Sequence, residues 1–426
     1  MNAVILSIGD ELITGEILDT NAKYLSEQCV KNGVMILYRE TLPDIKNWII
    51  EGIKKAIKAT NLVIISGGLG PTEDDLTREA LAEVAKVKLV MNSEALTHLQ
   101  KWFKARKRKM SNSNKKQALI PEGATLLFNP IGTAPGIKLK IGTAIVFALP
   151  GVPNELIEMT NLHIIPELTK VAKENFSFIK TKALHCFGIG ESVIGEKIQD
   201  LMKSRKGDIV VGTNVSGGVV SIKLRVKGSS ETIVNEKLLK LETKIRKRLG
   251  NKIFGTDSQT LPSVIAELLK QSNKTISIAE SCTAGLLGAA LTEQPGASKF
   301  FLGGMVVYSN KLKERWLGVS KNILKTKGAV SSTVVKELAK SIIKKTNSDY
   351  SLAISGIAGP EGGTPQKPIG TVWIGLGKKI KEKKIKLIAE CFHLFGDRAM
   401  IRDRAVKCAL NLLRLDLIKN INGHTS

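Results

Sequence analysis

The sequence predicts an α/β protein built from several domains, and three observations support this fold class. The chain has 426 residues, which at roughly 100–200 residues per domain is enough for two or three domains. Apolar residues make up 43% of the composition, so cores can be buried. Five scattered cysteines are too few for a chain of this length to be stabilised mainly by disulfides. Short apolar runs alternate with helical patterns, which is typical of βαβ units around a mostly parallel sheet.

The first third of the chain shows this alternation. The expected strands cover residues 4–8, 34–38, 62–65, 125–128 and 143–149, and the expected helices cover residues 21–32 and 45–59. After the prolines at positions 150 and 153, Asn154 is placed to cap a helix that runs to His163.

From about residue 176 to residue 254 the sequence changes to Lys-rich strands and helices, which predicts a small α+β module. The segment Gly188-Ile189-Gly190-Glu191-Ser192 opens one of its helices, and residues 219–226 alternate as a strand does. Residues 255–257 have the composition of a link to a third unit.

The last third returns to an α/β pattern. Apolar residues recur at helical spacing over residues 261–269, with Pro262 near the first turn, where its missing N–H costs nothing. The strands expected after this helix cover residues 275–279, 304–308, 350–355 and 371–375.

The charge balance raises the question of a polyanionic partner. Lys and Arg number 64 against 39 Asp and Glu, a formal net charge of +25, and a basic surface is a feature of nucleic-acid-binding proteins. Much of the excess lies in residues 101–116 and 378–386, where we expect exposed helix faces or turns, and neither cluster carries a recognisable nucleic-acid-binding motif. We therefore expect nucleic acid not to be the partner, and the positive field to speed the encounter with small phosphorylated molecules.

Several other classes are not expected. No run of about 18 apolar residues occurs, which argues against a membrane span. The first residues lack a basic segment and lead directly into Asp10 and Glu11, unlike a signal peptide. The cysteines form no CxxC pair and the histidines no HExxH motif, so we expect a reducing cytoplasm and no zinc site.

The first candidate site is a glycine-rich loop between a strand and a helix. Residues 66–72, Ser-Gly-Gly-Leu-Gly-Pro-Thr, follow the apolar run 62–65, and the acidic segment 73–79 is expected to open a helix. Glycines at a helix N-terminus let backbone N–H groups approach an anion, which predicts a phosphate site. The loop is neither a P-loop nor a GxGxxG fingerprint.

Carboxylates accompany this loop. Asp74 and Asp75 are placed to meet a divalent cation bridging to substrate phosphates, although they could instead only complement the helix dipole. A second polar cluster, residues 9–21, follows the first strand and is expected at the same sheet edge. Within it, Asp19 or Asn21 could equally be a helix cap.

The second candidate site follows the strand expected at 275–279. Small residues after Ser281 suit a helix that starts close to the sheet, and its N-terminal N–H groups could stabilise an oxyanion, so Ser281 is a candidate nucleophile. The alternative is an N-cap serine beside an ordinary buried Cys282, and chemistry alone does not choose between the hydroxyl and the thiol. No histidine lies nearby in sequence, so a lysine such as Lys313, or Tyr308, would have to handle the proton.

The motifs of the first third closely resemble the N-terminal domain of the CinA family. They are Ile8-Gly9-Asp10-Glu11-Leu12, Asp19-Thr20-Asn21, the loop 66–72 with Asp74-Asp75, Gly132-Thr133-Ala134-Pro135-Gly136 and Pro150-Gly151-Val152-Pro153. The resemblance implies a molybdopterin-binding-like three-layer α/β domain. It also implies hydrolysis of ADP-ribose to AMP and ribose 5-phosphate with a divalent metal (Mg, Mn or Co), sometimes aided by K⁺.

Carried over to this chain, the resemblance implies two groups of residues. Asp44, Asp74 and Asp75 would lie near the metal, and Gly67, Gly68, Gly70, Thr72, Gly132 and Thr133 would cradle phosphate. The alternative is a molybdopterin or nucleotide binder that uses the same loop without hydrolysis.

The last third resembles the C-terminal CinA domain, which is similar to nicotinamide-nucleotide amidase. The matching segments are Ala279-Glu280-Ser281-Cys282-Thr283, Tyr308-Ser309-Asn310 with Lys313, residues 355–360, and Gly396-Asp397-Arg398 with Ile401-Arg402. The resemblance implies conversion of nicotinamide mononucleotide and water to nicotinate mononucleotide and ammonia, without a cofactor.

The resemblance also assigns roles within this domain. Ser281 would be the nucleophile, Tyr308 and Lys313 its proton-handling partners, Ser355 a hydroxyl near the reacting group, and Gly356, Gly359, Arg398 and Arg402 the substrate-binding residues. Either arginine could clamp the phosphate or instead pair with a neighbouring aspartate. Ala284 departs from the two glycines of the common motif, and its methyl could narrow the pocket.

The middle module resembles the KH-like linker of CinA proteins through residues 188–192, but it lacks the GXXG loop that binds RNA. The predicted domains are therefore 1–170, 171–256 and 257–426 in a bifunctional pyridine-nucleotide salvage enzyme, with a homodimer implied by the resemblance. Two other functions stay open: a pterin- or nucleotide-binding protein, and a competence-associated DNA-processing factor.

Overall fold

The computed structural model describes residues 2–174, 178–202, 207–381 and 384–422. The start of the Lys-rich region near Phe176, and Glu382 and Lys383 of the second Lys cluster, lie outside these described residues. The chain forms two compact units, one of Met1–Thr181 with Arg225–Leu239 and the other of Lys182–Leu224 with Lys240–Ser426.

The N-terminal domain is built on a six-stranded sheet. Its elements are β1 (Asn2–Ile8), α1 (Asp10–Ile13), α2 (Thr20–Lys31), β2 (Met35–Leu42), α3 (Lys46–Ala59), β3 (Leu62–Ser66), α4 (Thr77–Ala85), β4 (Leu89–Met91), α5 (Ser93–Ala105), β5 (Leu119–Pro121), β6 (Thr125–Leu127), β7 (Gly136–Ile141), β8 (Ala144–Leu149), α6 (Pro153–Met159) and α7 (Ile165–Glu174). The strand order is β2-β1-β3-β8-β7-β6. The first four strands of this order are parallel, so their carboxyl ends share one edge, whereas β7 is antiparallel to both of its neighbours, β8 and β6.

Helices cover both faces of this sheet, which gives the expected three layers. Alternate residues of β1 enter opposite cores: Val4 and Leu6 pack with residues of α3 and α4, and Ala3 and Ile5 pack with residues of α2 and α6. All residues of β3 are buried, which explains why its sequence is an uninterrupted apolar run.

Two helix boundaries differ from the sequence prediction. The acidic segment after the glycine loop is a turn, and α4 begins only at Thr77. The helix expected after Asn154 begins at Pro153 with Val152 as its N-cap, because proline at the first helical position has the backbone angle that a helix requires. A π-helical turn over Thr160–Ile164 then joins α6 to α7.

The middle module is α+β, as predicted. It comprises β9 (Phe178–Cys186), α8 (Glu191–Met202), β10 (Ile209–Ser216), β11 (Val219–Gly228), α9 (Glu231–Leu249) and β12 (Ile253–Thr256), with strand order β10-β11-β9-β12. Gly255, predicted to lie in a link, instead pairs with His185 as part of β12.

The C-terminal domain has a five-stranded sheet of order β14-β13-β15-β16-β17. Its elements are α10 (Leu261–Gln271), β13 (Ile276–Glu280), α11 (Leu286–Thr292), β14 (Phe301–Val306), α12 (Asn310–Leu317), α13 (Lys321–Lys327), α14 (Ser332–Thr346), β15 (Tyr350–Gly356), β16 (Thr371–Lys381), β17 (Lys384–His393) and α15 (Arg398–Asn422). Strand β13 is parallel to β14 and β15, and β16 is antiparallel to β15 and β17.

One apolar core lies between this sheet and helices α10, α11 and α15, and a second lies between the sheet and helices α12 to α14. Helix α10 begins as predicted, with Thr260 and Ser263 forming a capping box. The described part of the Lys cluster 378–386 lies in strands β16 and β17, so its assignment to helix faces or turns was wrong. Among the described helices, none combines the length and the apolar composition needed to cross a membrane.

Candidate functional site

The glycine loop lies at the carboxyl edge of the N-terminal sheet, where β3 ends. Gly67 and Gly68 have φ values of 107° and 67°, in the left-handed region, and a Cβ on Gly67 would collide with the carbonyl oxygen of Ile8. Only glycine therefore lets the loop pass so close to β1. The loop lines a cavity of about 370 Å³.

Asp75 shapes this loop from within. Its carboxylate accepts hydrogen bonds from the N–H groups of Gly70 at 2.6 Å and Thr72 at 2.8 Å, and from the Thr72 hydroxyl. The N–H of Gly67 donates to the carbonyl of Leu149 at 3.0 Å. These three N–H groups, expected to face a phosphate, are thus already bonded to protein acceptors, and the prediction of a ready-made phosphate cradle there was wrong in this respect.

Arg78, which no motif in the sequence singled out, supports the loop by hydrogen bonds to its backbone. Its side chain is 1% exposed and donates to the carbonyl oxygens of Leu69 at 2.7 Å and Gly70 at 2.6 Å. Burial lowers the pKa of the Arg78 guanidinium. The available sequence signal was a single arginine on the apolar face of α4.

Asp44, Asp74 and Asp75 all line the same cavity, together with Glu11. Burial raises the pKa of the Asp44 carboxyl, which accepts a hydrogen bond from the Asp10 N–H, and the negative charges of Asp10, Glu11 and Asp74 raise it further. Within the described ranges, however, no three His, Cys, Asp or Glu side chains are grouped to hold a metal ion.

This donor set still fits a divalent cation of the magnesium type. Such ions bind through one or two carboxylates and complete their shell with water and substrate phosphates, without needing a protein cage. Repulsion among the carboxylates around Asp44 is the condition that a cation relieves.

The loop containing Gly132 and Thr133 forms the opposite wall. Thr133 lines the cavity and accepts a hydrogen bond from the buried Gln117 at 3.2 Å, whereas the Gly132 N–H donates to Asn129 at 2.9 Å. Asn129 also donates to Glu155 at 2.7 Å, so a polar network unseen in the sequence supports this wall.

In the C-terminal domain the structure brings Ser281 and Lys313 into direct contact. Ser281 directly follows β13, Lys313 lies on α12, and the distance from Lys313 Nζ to Ser281 Oγ is 3.0 Å. The same Nζ donates to the carbonyl oxygens of Val307 and Tyr308, both at 2.9 Å. Lys313 thus has three neighbours around its amino group, all of them oxygen atoms.

Burial strongly lowers the pKa of Lys313. It is 1% exposed, and removal from water lowers its pKa from 10.5 to about 8. A lysine with this pKa is half deprotonated at about pH 8 and carries a neutral fraction below that pH.

Cys282 is buried and points into the core beside α10 and α15, where it packs with apolar residues such as Leu287. Burial raises the pKa of its thiol to about 11. A thiol that holds its proton so firmly is a poor nucleophile, and the side chain that contacts Lys313 Nζ is that of Ser281.

The turn after Ser281 differs from the expectation. Residues 281–285 form turns, Ala284 and Gly285 have φ values of 49° and 97°, and α11 begins only at Leu286. The N–H groups of Gly285, Leu287 and Gly288 donate to the carboxylate of Glu280. The Leu286 N–H donates to the carbonyl of Thr283. The prediction that this helix start supplies an oxyanion site was therefore wrong, because Glu280 and Thr283 already accept from these N–H groups.

The remaining predicted residues lie around this pair in different ways. Ser355 follows Ile354, whose carbonyl accepts the Ser281 N–H, and it donates its hydroxyl to the carbonyl of Ala329 at 2.9 Å. Tyr308 contacts Lys313 through its backbone carbonyl, and its exposed phenol oxygen accepts a hydrogen bond from Arg398 at 3.1 Å.

Both predicted arginines bond to backbone close to the site. Arg398 donates to the carbonyl of Gly359 at 2.6 Å, and Arg402 donates to the carbonyl of Thr283 at 2.9 Å. The Nε of Arg402 is buried without a partner among the described residues.

At Gly356, a Cβ would lie 2.7 Å from a methyl carbon of Val372, so this glycine lets β15 and β16 approach each other.

Comparisons with known proteins agree with the order of these domains. Residues 4–170 match a family described as "Probable molybdopterin binding domain", residues 181–255 match "Damage-inducible protein CinA KH domain", and residues 258–417 match "CinA C-terminal domain".

Similar proteins cover nearly the whole chain. A relative from Halothermothrix orenii, named as competence-damage inducible, is 40% identical over 88% of this chain and 90% of its own. A "CinA-like protein" from Dictyoglomus thermophilum is 38% identical over 98% of this chain and 100% of its own. A solved CinA structure from Thermoplasma acidophilum is 29% identical, covers 39% of this chain and 97% of its own, and has a TM-score of 0.37.

The fold and the sites define a multidomain α/β protein in which a KH-like module lies, in sequence, between two α/β domains. At 38–40% identity over most of the chain, the protein belongs to the CinA family.

The lowered pKa of Lys313 predicts a specific pH dependence of stability. Between about pH 8 and the ordinary lysine value of 10.5 the unfolded chain binds a proton that the folded chain does not, so this lysine's destabilising effect disappears as the pH rises. Relative to Lys313→Met, the wild type should gain roughly 3 kcal/mol of unfolding free energy from about pH 7 to about pH 11.

The measurement is urea unfolding at a series of pH values, followed by fluorescence of Trp316 and Trp373 in this domain. Lys311→Met is the matched control, because Lys311 is exposed on the same helix. Parallel pH profiles for the wild type and Lys313→Met would contradict the prediction.

Proposed function

We propose that the C-terminal domain hydrolyses the carboxamide of nicotinamide mononucleotide, giving nicotinate mononucleotide and ammonia, with Ser281 as nucleophile and Lys313 as general base. The observation that carries this proposal is the 3.0 Å contact between Lys313 Nζ and Ser281 Oγ in a buried setting. A serine hydroxyl is a weak nucleophile until a neighbouring base removes its proton.

The surroundings of Lys313 support the role of base. A neutral amine has two N–H bonds and one lone pair. When the two N–H bonds point at the carbonyl oxygens of Val307 and Tyr308, the lone pair faces the Ser281 hydroxyl. The two carbonyls therefore orient the amine for proton transfer, and a pKa of about 8 leaves a useful neutral fraction near physiological pH.

The proposed reaction has two stages. Ser281 Oγ attacks the carboxamide carbon while Lys313 takes the hydroxyl proton, and that proton then passes to the departing nitrogen, which leaves as ammonia. Water next attacks the resulting ester with Lys313 again as base, and the carboxylate product is released as Ser281 regains its proton. Lys313 thus accepts a proton from Ser281 and passes it to the leaving nitrogen in the first stage, and it accepts a proton from water and returns it to Ser281 in the second.

Arg402 is the stronger candidate for the substrate phosphate. Its guanidinium is held by Thr283, two residues beyond Ser281, and its buried Nε has no partner among the described residues. Arg398 bonds to Gly359 and to the phenol of Tyr308, which would keep Tyr308 at the entrance as a second proton-handling group.

For the N-terminal domain we propose metal-dependent hydrolysis of ADP-ribose to AMP and ribose 5-phosphate. Asp44 and Asp74 would hold the divalent cation, which when bound neutralises phosphate charge and lowers the pKa of water. Asp75 and Arg78 fix the loop, and Thr133 and Gln117 form the facing wall. The second candidate, nucleotide or pterin binding without hydrolysis, is favoured by the finding that no three His, Cys, Asp or Glu side chains among the described residues are grouped to hold a metal ion.

The proposed partners are these small nucleotides and, by the family resemblance, a second copy of the chain. The +25 net charge would then act as a long-range attraction for phosphorylated substrates and not as a nucleic-acid contact.

The amidase proposal predicts that Ser281→Ala abolishes ammonia release from nicotinamide mononucleotide, by at least about a thousandfold, because no other group can form the ester. Cys282→Ala is the adjacent control and should keep kcat within about threefold, since the thiol is buried and protonated. Ammonia is measured by a coupled assay and folding by circular dichroism. Full activity in Ser281→Ala, or its loss only in Cys282→Ala, would contradict the nucleophile assignment.

The N-terminal proposal predicts that Asp44→Asn reduces metal-dependent ADP-ribose hydrolysis by about 100-fold or more, while the amidase activity is unchanged. The reason is loss of a carboxylate ligand for a hard cation. AMP formation is followed chromatographically with and without Mg²⁺, Mn²⁺ or Co²⁺. Saturable ADP-ribose binding with no AMP formed by the wild type would support the binding-protein alternative instead.

A further inference from the structure

Glu280, the last residue of β13, lies directly before Ser281 and has a buried carboxylate with three protein donors. It is 1% exposed. Its Oε2 accepts from the N–H groups of Gly285 and Leu287, both at 3.1 Å, and its Oε1 accepts from the N–H of Gly288 at 3.0 Å. A buried carboxylate needs such donors, because an unpaired charge in a core is costly.

These three bonds close the turn that carries Ser281. The turn begins where the Ser281 N–H donates to the carbonyl of Ile354 at 3.0 Å, and its far end is held by Glu280. Ala284 within it has a φ of 49°, a conformation that an alanine adopts only when its surroundings impose it. Strand β15 and the Glu280 carboxylate therefore hold the two ends of the turn.

We propose that Glu280 is a positioning residue for the hydrolysis proposed above: its carboxylate fixes the turn that places Ser281 Oγ against Lys313 Nζ. The proposal rests on the assignment of Ser281 as nucleophile. Glu280 acts through the backbone of residues 281–288 and touches neither the substrate nor Lys313. A misplacement of about 1 Å between reacting groups can cost about 100-fold in rate, which is why a fixed turn matters here.

Lys313 is oriented independently of this carboxylate. Its amino group is held by the carbonyls of Val307 and Tyr308. Glu280 meets that region only through its backbone carbonyl, which accepts the Val307 N–H at 2.8 Å and is unaffected by a change of side chain. A Glu280 variant should therefore lower turnover without shifting the pH at which activity appears.

The test is Glu280→Gln, which keeps the size of the side chain. It replaces one carboxylate oxygen with an amide NH₂ group, which cannot accept a hydrogen bond from a backbone N–H. Its matched control is Asp349→Asn, at the other end of the sheet. Asp349 accepts from the N–H and the hydroxyl of Thr275, both at 2.9 Å, just before β13 begins. Both changes replace a carboxylate that fixes backbone next to the same strand.

We expect Glu280→Gln to lower kcat for nicotinamide mononucleotide about 10- to 100-fold, with KM within about threefold and the midpoint of the pH–rate profile unchanged. Asp349→Asn should keep kcat within about twofold, even if its melting temperature falls as much as that of Glu280→Gln. Wild-type kcat in a folded Glu280→Gln, or equal kcat losses in the two variants at equal loss of stability, would overturn the proposal.

Two further measurements separate the positioning role of Glu280 from a failure to fold and from a wrong choice of substrate. If Glu280→Gln does not fold, Glu280→Asp, whose carboxylate is too short to reach all three donors, should show the same kcat loss. Failure of both variants to fold would overturn the proposal, because Glu280 would then serve the fold alone. Labelling of Ser281 by a fluorophosphonate probe should slow in Glu280→Gln and not in Asp349→Asn, with no labelling in Ser281→Ala. This readout does not depend on nicotinamide mononucleotide, so it separates failure of the positioning role from failure of the proposed substrate.

Discussion

The C-terminal site depends on the burial of one amino group. An ammonium removed from water must be surrounded by acceptors or lose its proton, and Lys313 is placed so that both solutions are available. Two backbone carbonyls from the segment between β14 and α12 accept its hydrogens, and Ser281 completes its surroundings. These contacts join the residues that directly follow β13 and β14 to α12, so one side chain links the three elements that carry the site.

The two α/β domains each bury a basic side chain beside a glycine-containing turn, but the chemistry differs. Arg78 keeps its proton under any physiological condition, so its contacts with Leu69 and Gly70 can only hold the loop in place. Lys313 can lose its proton, so its contact with Ser281 can serve the proton transfer that we propose. Acidic side chains complete both arrangements: Asp75 closes the first turn, and Glu280 closes the second.

The sequence was sufficient to locate the central strands of both α/β sheets and to single out Ser281 and Lys313, which the structure places in contact. Continuous apolar runs such as β3 and the motif around Ser281 are local signals, and Lys313 was recognisable from its family resemblance. The roles of Glu280 and Asp75 were not readable, because each depends on N–H groups brought near by a turn whose left-handed residues no local pattern specifies. The Lys-rich strand β17 was missed for a related reason: it is an edge strand with many exposed residues, so it lacks an apolar run.

The most direct measurement of the central claim is a titration of the Lys313 amino group by NMR in protein labelled at lysine Cε, with the resonance assigned by its absence in Lys313→Arg. Burial between two carbonyls and Ser281 predicts a midpoint of about 8. A midpoint at or above the ordinary lysine value of 10.5 would show that Lys313 stays charged in the folded protein, and it would contradict its role as the base that activates Ser281.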